Sequence, residues 1–241
     1  IMQAIIMAGG KGRRLRPYTN ILPKPLLPVG NKSILDINIR QLVASGVDNI
    51  IIAVGYLGEL IETVIGNGDS YGIKINYSYE DEPLGTVGGL GQMKSLLEDN
   101  FIVMNGDILH DIGFSNLIKE HINSKSNVTI TTYSQQNTVR LGVLEIQDKN
   151  IVKYIEKPTS EYIVSIGVYI LSKDIIERFV KKNEYLDFPT LINILIKNKE
   201  KINPYVHNGL WIDIGTTEEY LNLIENLDNI IHENPVIPIF N

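Results

Sequence analysis

The chain has no cysteine among its 241 residues, which excludes disulfide bonds, cysteine-ligated metals and cysteine nucleophiles. Its net charge of -6 is small and negative, so it lacks the basic face of a protein that binds nucleic acid. No apolar run approaches membrane-spanning length, and the N-terminus shows neither the basic segment nor the cleavage site of a signal peptide. We therefore expect a cytoplasmic protein that binds no nucleic acid polymer and no membrane. A homo-oligomer is possible.

Repeats and low-complexity segments are also missing, while hydrophobic residues make up 44% of the chain and suffice for a continuous core. The first half alternates between strand-like and helix-like patterns. Strands are predicted at residues 3–8, 49–54, 73–79 and 101–105. Helices are predicted at residues 33–45, 58–65 and 114–124, and residues 85–97 are predicted as a loop that enters a helix.

The second half is richer in strands. They are predicted at residues 128–133, 141–146, 151–156 and 163–171, with late helices at residues 187–197 and 217–226. Together the patterns predict an α/β fold that is Rossmann-like, with a mixed, mostly parallel central sheet, helices on both faces and a smaller β-rich second half. We expect one domain over residues 1–241, divided at about residue 125.

A glycine-rich loop follows the first predicted strand. Gly9, Gly10 and Gly12 allow a sharp turn whose backbone N–H groups can cradle phosphate oxygens, and Arg13 and Arg14 add positive charge. The spacing fits neither the Walker A motif nor the dinucleotide-binding motif. By itself the loop indicates a phosphate site about as well as a plain tight turn with solvated arginines.

A lysine between two prolines, Lys24, follows on a stiff and extended backbone. The segment Ala-Gly-Gly-Lys-Gly-Arg-Arg-Leu-Arg-Pro, residues 8–17, together with Pro-Lys-Pro at residues 23–25, resembles the signature of the sugar-1-phosphate nucleotidylyltransferases, or NDP-sugar pyrophosphorylases. The resemblance implies that Arg14 and Lys24 are catalytic residues on the triphosphate. It also implies nucleotide contacts from the backbone of the loop residues Ala8, Gly9, Gly10, Gly12 and Arg13. That family usually has threonine in the place of Arg13, so only a backbone role carries over to this residue.

A second segment, Glu-Pro-Leu-Gly-Thr-Val-Gly-Gly at residues 82–89, resembles the family's base-recognition segment. The resemblance implies that Gly85 lets the backbone approach the base and that Glu80 faces the base edge. A carboxylate there accepts hydrogen bonds from guanine or from the cytosine amino group, and it repels the acceptor-rich edge of uracil or thymine. From the residue alone, Glu80 is equally well a solvated loop acid.

Two aspartates stand in family-like motifs. Asn105, Gly106 and Asp107 close a predicted strand, where an acid points into the ligand crevice of an open α/β sheet, and Asp213 lies in Trp-Ile-Asp-Ile-Gly. The resemblance implies that both aspartates bind Mg²⁺, a hard cation that prefers oxygen ligands. It places Asn105 and Gly106 beside the nucleotide.

Motifs in the second half resemble the family's acceptor segments. In Glu-Lys-Pro the resemblance implies that Glu156 accepts hydrogen bonds from sugar hydroxyls and that Lys157 acts as a catalytic residue on the sugar phosphate. Gly142 and Ser165 fall in segments that the family places near the sugar, with asparagine usual at the position of Ser165.

The resemblance covers about residues 3–226 and implies an enzyme whose partners are a nucleoside triphosphate and a sugar 1-phosphate. The acceptor phosphate attacks the α-phosphorus directly, with Mg²⁺ as cofactor, and gives an NDP-sugar and pyrophosphate. The first half would bind the nucleotide and the second half the sugar phosphate. GTP is favoured. Cytidylyl, uridylyl or thymidylyl transfer to a sugar or a non-sugar phosphate stays open, as does a non-catalytic regulatory homologue.

Overall fold

A seven-stranded mixed sheet forms the centre of the computed structural model, which describes residues 2–80 and 82–234. The strands are β1 Gln3–Ala8, β2 Pro28–Val29, β3 Lys32–Ser33, β4 Asn49–Val54, β5 Lys74–Tyr79, β6 Asn100–Asn105, β7 Ile108–His110, β8 Val128–Thr138, β9 Val143–Gln147, β10 Asn150–Ile155, β11 Thr159–Ser172, β12 Ile202–His207 and β13 Trp211–Asp213. The helices are α1 Ile34–Ala44, α2 Gly58–Ile65, α3 Gly85–Gly88, α4 Phe114–Ser124, α5 Lys173–Phe179, α6 Phe188–Lys197, α7 Thr217–Glu225 and α8 Leu227–Glu233.

The sheet order is β12-β8-β11-β6-β1-β4-β5. Strands β6, β1, β4 and β5 run parallel, β11 is antiparallel to both of its neighbours, and β12 is parallel to β8. The predicted mixed and mostly parallel sheet is therefore confirmed. Because β6 and β11 pair, the sheet runs without a break from the first half of the chain into the second. The assignment of two functional halves stays a prediction.

Helices cover both faces of the sheet, as the sequence predicts. Successive side chains of a strand point to opposite faces, and β1 shows this clearly. Ala4 and Ile6 pack in a buried cluster with residues of α1, α2 and α4, whereas Ile5 packs in a second cluster with residues of α5 and α6. A third cluster packs α7 and α8 against Leu15, just after the glycine-rich loop.

The structure departs from the sequence-based elements in three ways. Residues 85–97 form the short helix α3 and then 3₁₀ turns, because glycines at positions 85, 88, 89 and 91 disfavour a longer helix. Strands β8 and β11 extend farther than predicted, to Thr138 and from Thr159, through polar residues that pair across the two strands. The sequence patterns do not predict the short strands β2, β3, β7 and β13, the six-residue strand β12, or the helices α5 and α8.

Strands β9 and β10 form a separate hairpin, and most of its residues are exposed. Within the described ranges, no helix has both the length and the apolar character needed to cross a bilayer.

Candidate active site

The glycine-rich loop lies at the carboxyl edge of the sheet, between the ends of the neighbouring strands. The backbone N–H of Tyr56, just after β4, donates to the carbonyl of Gly9 at 3.4 Å. On the other side, Gly106, just after β6, donates to the carbonyl of Met7 at 2.9 Å. Since β4, β1 and β6 are parallel neighbours, their ends bring the loop next to the Asn-Gly-Asp segment. This is the edge at which open α/β sheets bind ligands.

Two glycines of the loop stand in different surroundings. Gly12 has a φ of 55°, and a Cβ on it would lie 2.9 Å from the Thr19 methyl group. The Thr19 hydroxyl also donates to the Gly12 carbonyl at 2.8 Å, which fixes the turn. A Cβ on Gly10 would meet no atom within 4 Å, so the fold itself leaves the space above Gly10 open.

Lys24 is a buried cation held between two carboxylates. Only 7% of the residue is exposed. Its Nζ lies 2.5 Å from Oδ2 of Asp107 and 3.8 Å from Oδ1 of Asp213. A buried ammonium group requires such compensation, because desolvation of an unpaired charge is costly. The structure thus brings together three of the residues that the sequence singles out.

A two-stranded ribbon sets the two aspartates side by side. Asp107 directly precedes β7 and Asp213 ends β13, and these strands pair antiparallel with Asp213 opposite Ile108. Burial raises the pKa of the Asp213 carboxyl, the charges of Asp107 and Glu219 raise it further, and Lys24 and Arg14 oppose the rise. The two carboxylates therefore repel each other, and a cation between them would relieve that repulsion.

These donors fit Mg²⁺. Carboxylate oxygens suit a hard divalent cation, which commonly takes one or two protein carboxylates and completes its shell with phosphates and water. The side chains of Asp107 and Asp213 are 30% and 51% exposed, so both can be reached from solvent. Among the described residues no group of three or more metal-binding side chains assembles.

Two adjoining cavities occupy this edge. The first, the phosphate cavity, has a volume of about 260 Å³. Its lining is Met7, Ala8, Gly10, Gly12, Arg13, Arg14, Leu15, Lys24, Pro25, Asp107 and Gly215. The second, the base cavity, has a volume of about 320 Å³. Its lining is Met7, Gly9, Gly10, Ala53, Glu80, Pro83, Gly85, Thr86, Asn105 and Asp107. The two cavities share Met7, Gly10 and Asp107 and therefore adjoin each other.

Glu80 contributes a carboxylate to the base cavity. It follows β5, and its Oε1 is buried without a hydrogen-bond partner among the described residues. Burial raises the pKa of the Glu80 carboxyl, and a hydrogen bond from the backbone of Leu84 opposes that rise. A Cβ on Gly89 would overlap this oxygen, so the glycine makes room for the carboxylate. Because Glu80 also lines the base cavity, its carboxyl group lies beside the space that a base could occupy.

Gly85 also has a conformational role. Its φ is 78°, and a Cβ on it would lie 2.5 Å from the carbonyl oxygen of Leu186. That carbonyl accepts hydrogen bonds from the N–H groups of Val87 and Gly88, both at 3.0 Å. The segment beside the base cavity is thereby fixed against the loop that precedes α6.

Comparison with known proteins decides the family. The sequence model of the nucleotidyl transferase family matches residues 3–229. The chain belongs to the nucleotidyl transferase family. This confirms the resemblance seen in the glycine-rich loop and in the Pro-Lys-Pro segment, and it makes the protein a nucleotidyltransferase.

Individual relatives cover nearly the whole chain. D-glycero-alpha-D-manno-heptose 1-phosphate guanylyltransferase of Aneurinibacillus thermoaerophilus is 33% identical over 238 residues, covering 95% of this chain and 100% of that protein. Mannose-1-phosphate guanyltransferase of Yarrowia lipolytica is 31% identical, with coverages of 92% and 62%, so this chain spans less than two thirds of it. The crystal structure of HddC from Yersinia pseudotuberculosis complexed with GMP-PN has a TM-score of 0.73 at 27% identity, with coverages of 94% and 100%.

The residues predicted to bind the acceptor do not line either of the two cavities. Tyr154 on β10 donates to Glu156 at 2.7 Å, and its ring covers Gly142. Lys157 is exposed, with a φ of 45°. The Ser165 hydroxyl donates to Tyr169 at 3.0 Å. None of these four predicted residues lines the phosphate or base cavity, and their roles stay predictions.

Gly167 lies between Ser165 and the base cavity, which Asn105 lines. It lies two residues after Ser165 on β11, with a φ of 76°, and it abuts the side chain of Asn105. Gly167, Thr19, Thr86 and Gly215 also lie at the site, although the sequence patterns do not single them out as site residues. Thr86 and Gly215 lie inside the family-like motifs, whereas the contact of Thr19 with the loop has no local signal.

Proposed function

We propose that this nucleotidyltransferase transfers a guanylyl group from GTP to a sugar 1-phosphate, forming a GDP-sugar and pyrophosphate. The observation that carries the proposal is the pair of adjoining cavities. One is lined by the glycine-rich loop, Lys24 and Asp107, and the other is lined by Glu80. The two cavities correspond to the two parts of a nucleotide, its phosphates and its base.

The chemistry is a single displacement. An oxygen of the sugar phosphate forms a bond to the α-phosphorus, and the bond from that phosphorus to the bridging oxygen breaks. Its electron pair leaves with pyrophosphate. The attacking oxygen is already anionic, so no side chain needs to remove a proton. The protein's tasks are alignment and the neutralisation of crowded negative charge.

Each task falls to residues at the site. The open backbone at Gly10 lets N–H groups approach the phosphates closely, and Arg14 and Lys24 provide positive charge. Asp107 and Asp213 would hold Mg²⁺, which when bound supplies further charge neutralisation on the phosphates. Lys157 would bind the phosphate of the sugar, and Glu156, Gly142 and Ser165 would contact the sugar itself.

The preference for GTP rests on Glu80. Guanine presents N1–H and N2–H donors that a buried carboxylate can accept, whereas uracil and thymine present an acceptor-rich edge to it. Burial of an unmatched acceptor pair is costly, so the wrong base is disfavoured as well. Relatives named guanylyltransferases support the same nucleotide, and their names support a sugar 1-phosphate as acceptor.

A matrix of pyrophosphate-release assays tests the proposal. It combines GTP, ATP, CTP, UTP and dTTP with the 1-phosphates of mannose, glucosamine, glucose and a heptose, and with phosphocholine. We expect the highest kcat/KM for GTP with a sugar 1-phosphate. Highest activity with phosphocholine would refute the sugar acceptor. Activity with no pair would favour a regulatory homologue.

Substitution of Glu80 tests the base assignment separately. Glu80→Gln keeps the shape of the side chain but replaces one acceptor with a donor, so we expect kcat/KM for GTP to fall about 10-fold or more. The ratio of GTP to UTP turnover should fall with it. Glu82→Gln, on the neighbouring loop acid that lines neither cavity, is the matched control. An unchanged ratio in Glu80→Gln would contradict the role in base recognition.

A further inference from the structure

Tyr154 links two of the segments that are predicted to bind the acceptor. It lies on β10, opposite Leu144 of β9, and the hairpin of these strands stands between Gly142 and Glu156 in the chain. Alternate residues of a strand face the same side, so the side chains of Tyr154 and Glu156 come together. The Tyr154 hydroxyl donates to Oε2 of Glu156 at 2.7 Å. The Glu-Lys-Pro motif is thus contacted by a residue that lies outside it.

Gly142 makes room for the ring of this tyrosine. A Cβ on Gly142 would overlap the hydroxyl oxygen of Tyr154 and the ring carbon that carries it. The backbone of Gly142 does not have the positive φ that favours glycine. The structure therefore requires a glycine here for the position of the ring and not for the conformation of the backbone.

Glu156 is an exposed side chain that gains its orientation from the tyrosine. Glutamate is among the side chains that lose most rotamer freedom when they are ordered. None of the ion pairs among the described residues includes Glu156, so no cation fixes it. The bond from Tyr154 holds Oε2 and leaves Oε1 and the remaining lone pairs free to accept hydrogen bonds from hydroxyl groups.

We infer that Tyr154 is a positioning residue for the acceptor, because it holds the Glu156 carboxylate in the orientation in which that group accepts hydrogen bonds from the sugar. This rests on the proposed function, in which Glu156 contacts the sugar. Gly142 takes part through the ring that it admits. Neither Tyr154 nor Gly142 lines the phosphate cavity or the base cavity, so their effect falls on the acceptor and not on the nucleotide.

Steady-state kinetics of Tyr154→Phe test the inference, with GTP and the sugar 1-phosphate of the assay matrix that gives the highest kcat/KM. The substitution removes only the hydroxyl. We expect the KM for the sugar 1-phosphate to rise about 5-fold, as for the loss of one hydrogen bond, and the KM for GTP to stay unchanged. Gly142→Ala should give a similar rise, because its methyl group displaces the ring. Tyr162→Phe, on an exposed tyrosine of β11, is the matched control and should equal the wild type.

A double-mutant cycle separates positioning from a general structural effect. In Glu156→Ala the carboxylate that Tyr154 holds is gone, so adding Tyr154→Phe should no longer change the KM for the sugar 1-phosphate. An equal rise in the two backgrounds would show that the hydroxyl acts independently of Glu156 and would overturn the inference.

An NMR titration gives a readout besides activity. The hydrogen bond to Glu156 raises the pKa of the Tyr154 phenol. With every tyrosine ¹³C-labelled at the carbon that carries the hydroxyl, the Tyr154 signal is the one that disappears in Tyr154→Phe. The pKa of this phenol should be lower in Glu156→Ala than in the wild type. An unchanged pKa would show that the bond does not form in solution and would also overturn the inference.

Failure of the inference and failure of the proposed function give different results. An unchanged KM for the sugar 1-phosphate in an active Tyr154→Phe enzyme would overturn the positioning role and leave the proposed function intact. Absence of turnover in the wild type with every nucleotide and acceptor would overturn both.

Discussion

In the glycine-rich loop, one glycine is required by the fold and another leaves space for a ligand. Gly12 is a glycine because of the fold, since its φ of 55° and the nearby Thr19 methyl group exclude a side chain. Gly10 has open space in place of a side chain and lines both cavities of the site. Its lack of a side chain thus serves a ligand.

This division gives the first prediction. Gly10→Ala should leave the free energy of unfolding within about 0.5 kcal/mol of wild type, as at other unstrained surface positions. Its kcat/KM should fall about 100-fold, because the methyl group displaces the phosphates from alignment. Gly12→Ala should lose about 1–3 kcal/mol of stability from the strained backbone. Urea unfolding measures the stability of each variant, and pyrophosphate release measures its kcat/KM. A Gly10→Ala protein with full activity would contradict the prediction.

The aspartates give the second prediction. Asp107→Asn and Asp213→Asn should each lower Mg²⁺-dependent kcat/KM on the order of 100-fold, because each removes a charged oxygen ligand and part of the neutralisation of Lys24. Raising the Mg²⁺ concentration should restore part of the activity. Asp174→Asn, an exposed carboxylate paired with Arg178 on α5, is the control. Near-normal turnover in both site variants would refute the metal assignment.

At the scale of elements, the local sequence predicts the strands that carry the site better than it predicts which of these strands lie next to each other. The strands β1, β4 and β6 are largely apolar runs and β5 alternates, and the predicted bounds of all four agree with the structure within one residue. β7 and β13 have only three residues each, too few to show a period. The bond from Lys24 to Asp107 joins residues 83 positions apart, so no local pattern can reveal it. The family motifs identify Lys24 and the two aspartates as candidates, but only the structure shows that the pairing of β7 with β13 brings the aspartates together.

The α3 segment gives the third prediction. Gly85→Ala should lower the free energy of unfolding by more than Gly72→Ala does. Both positions have a positive φ, 78° and 70°, but only at Gly85 would the Cβ collide with a backbone carbonyl. The shared backbone strain costs about 1–3 kcal/mol, and the collision adds to it. Urea unfolding of the two variants measures the difference. Equal destabilisation by the two substitutions would contradict the prediction, because it would show that the Leu186 carbonyl does not restrict the side chain at position 85.

At the scale of the whole molecule, a buried histidine connects stability to pH. His110, on β7, is fully buried, and this burial, with a smaller contribution from His207, lowers its pKa to about 3. The unfolded chain binds a proton at this residue below about pH 6.5, whereas the native protein does not. Stability contributed by neutral His110 is therefore fully present above pH 6.5 and declines as the pH falls towards 3.

The fourth prediction follows from this linkage. Between pH 6.5 and 5, His110 should account for a loss of about 2 kcal/mol in the free energy of unfolding. His110→Gln removes the titrating group, so its stability should depend less steeply on pH over this interval, whatever its stability at neutral pH. Urea unfolding at several pH values compares the two slopes. Parallel curves would contradict the prediction.

The pairing of β13 with β7 also has a consequence for biosynthesis. The ribosome makes a chain from its N-terminus, so Asp107 emerges long before its partner strand exists. β13 ends at residue 213, close to the end of the described chain, and until it emerges β7 lacks its partner. A product of interrupted translation that stops between residues 107 and 213 has the glycine-rich loop and Lys24 but only one of the two carboxylates. The proposed metal site is therefore complete only after residue 213 has been synthesised.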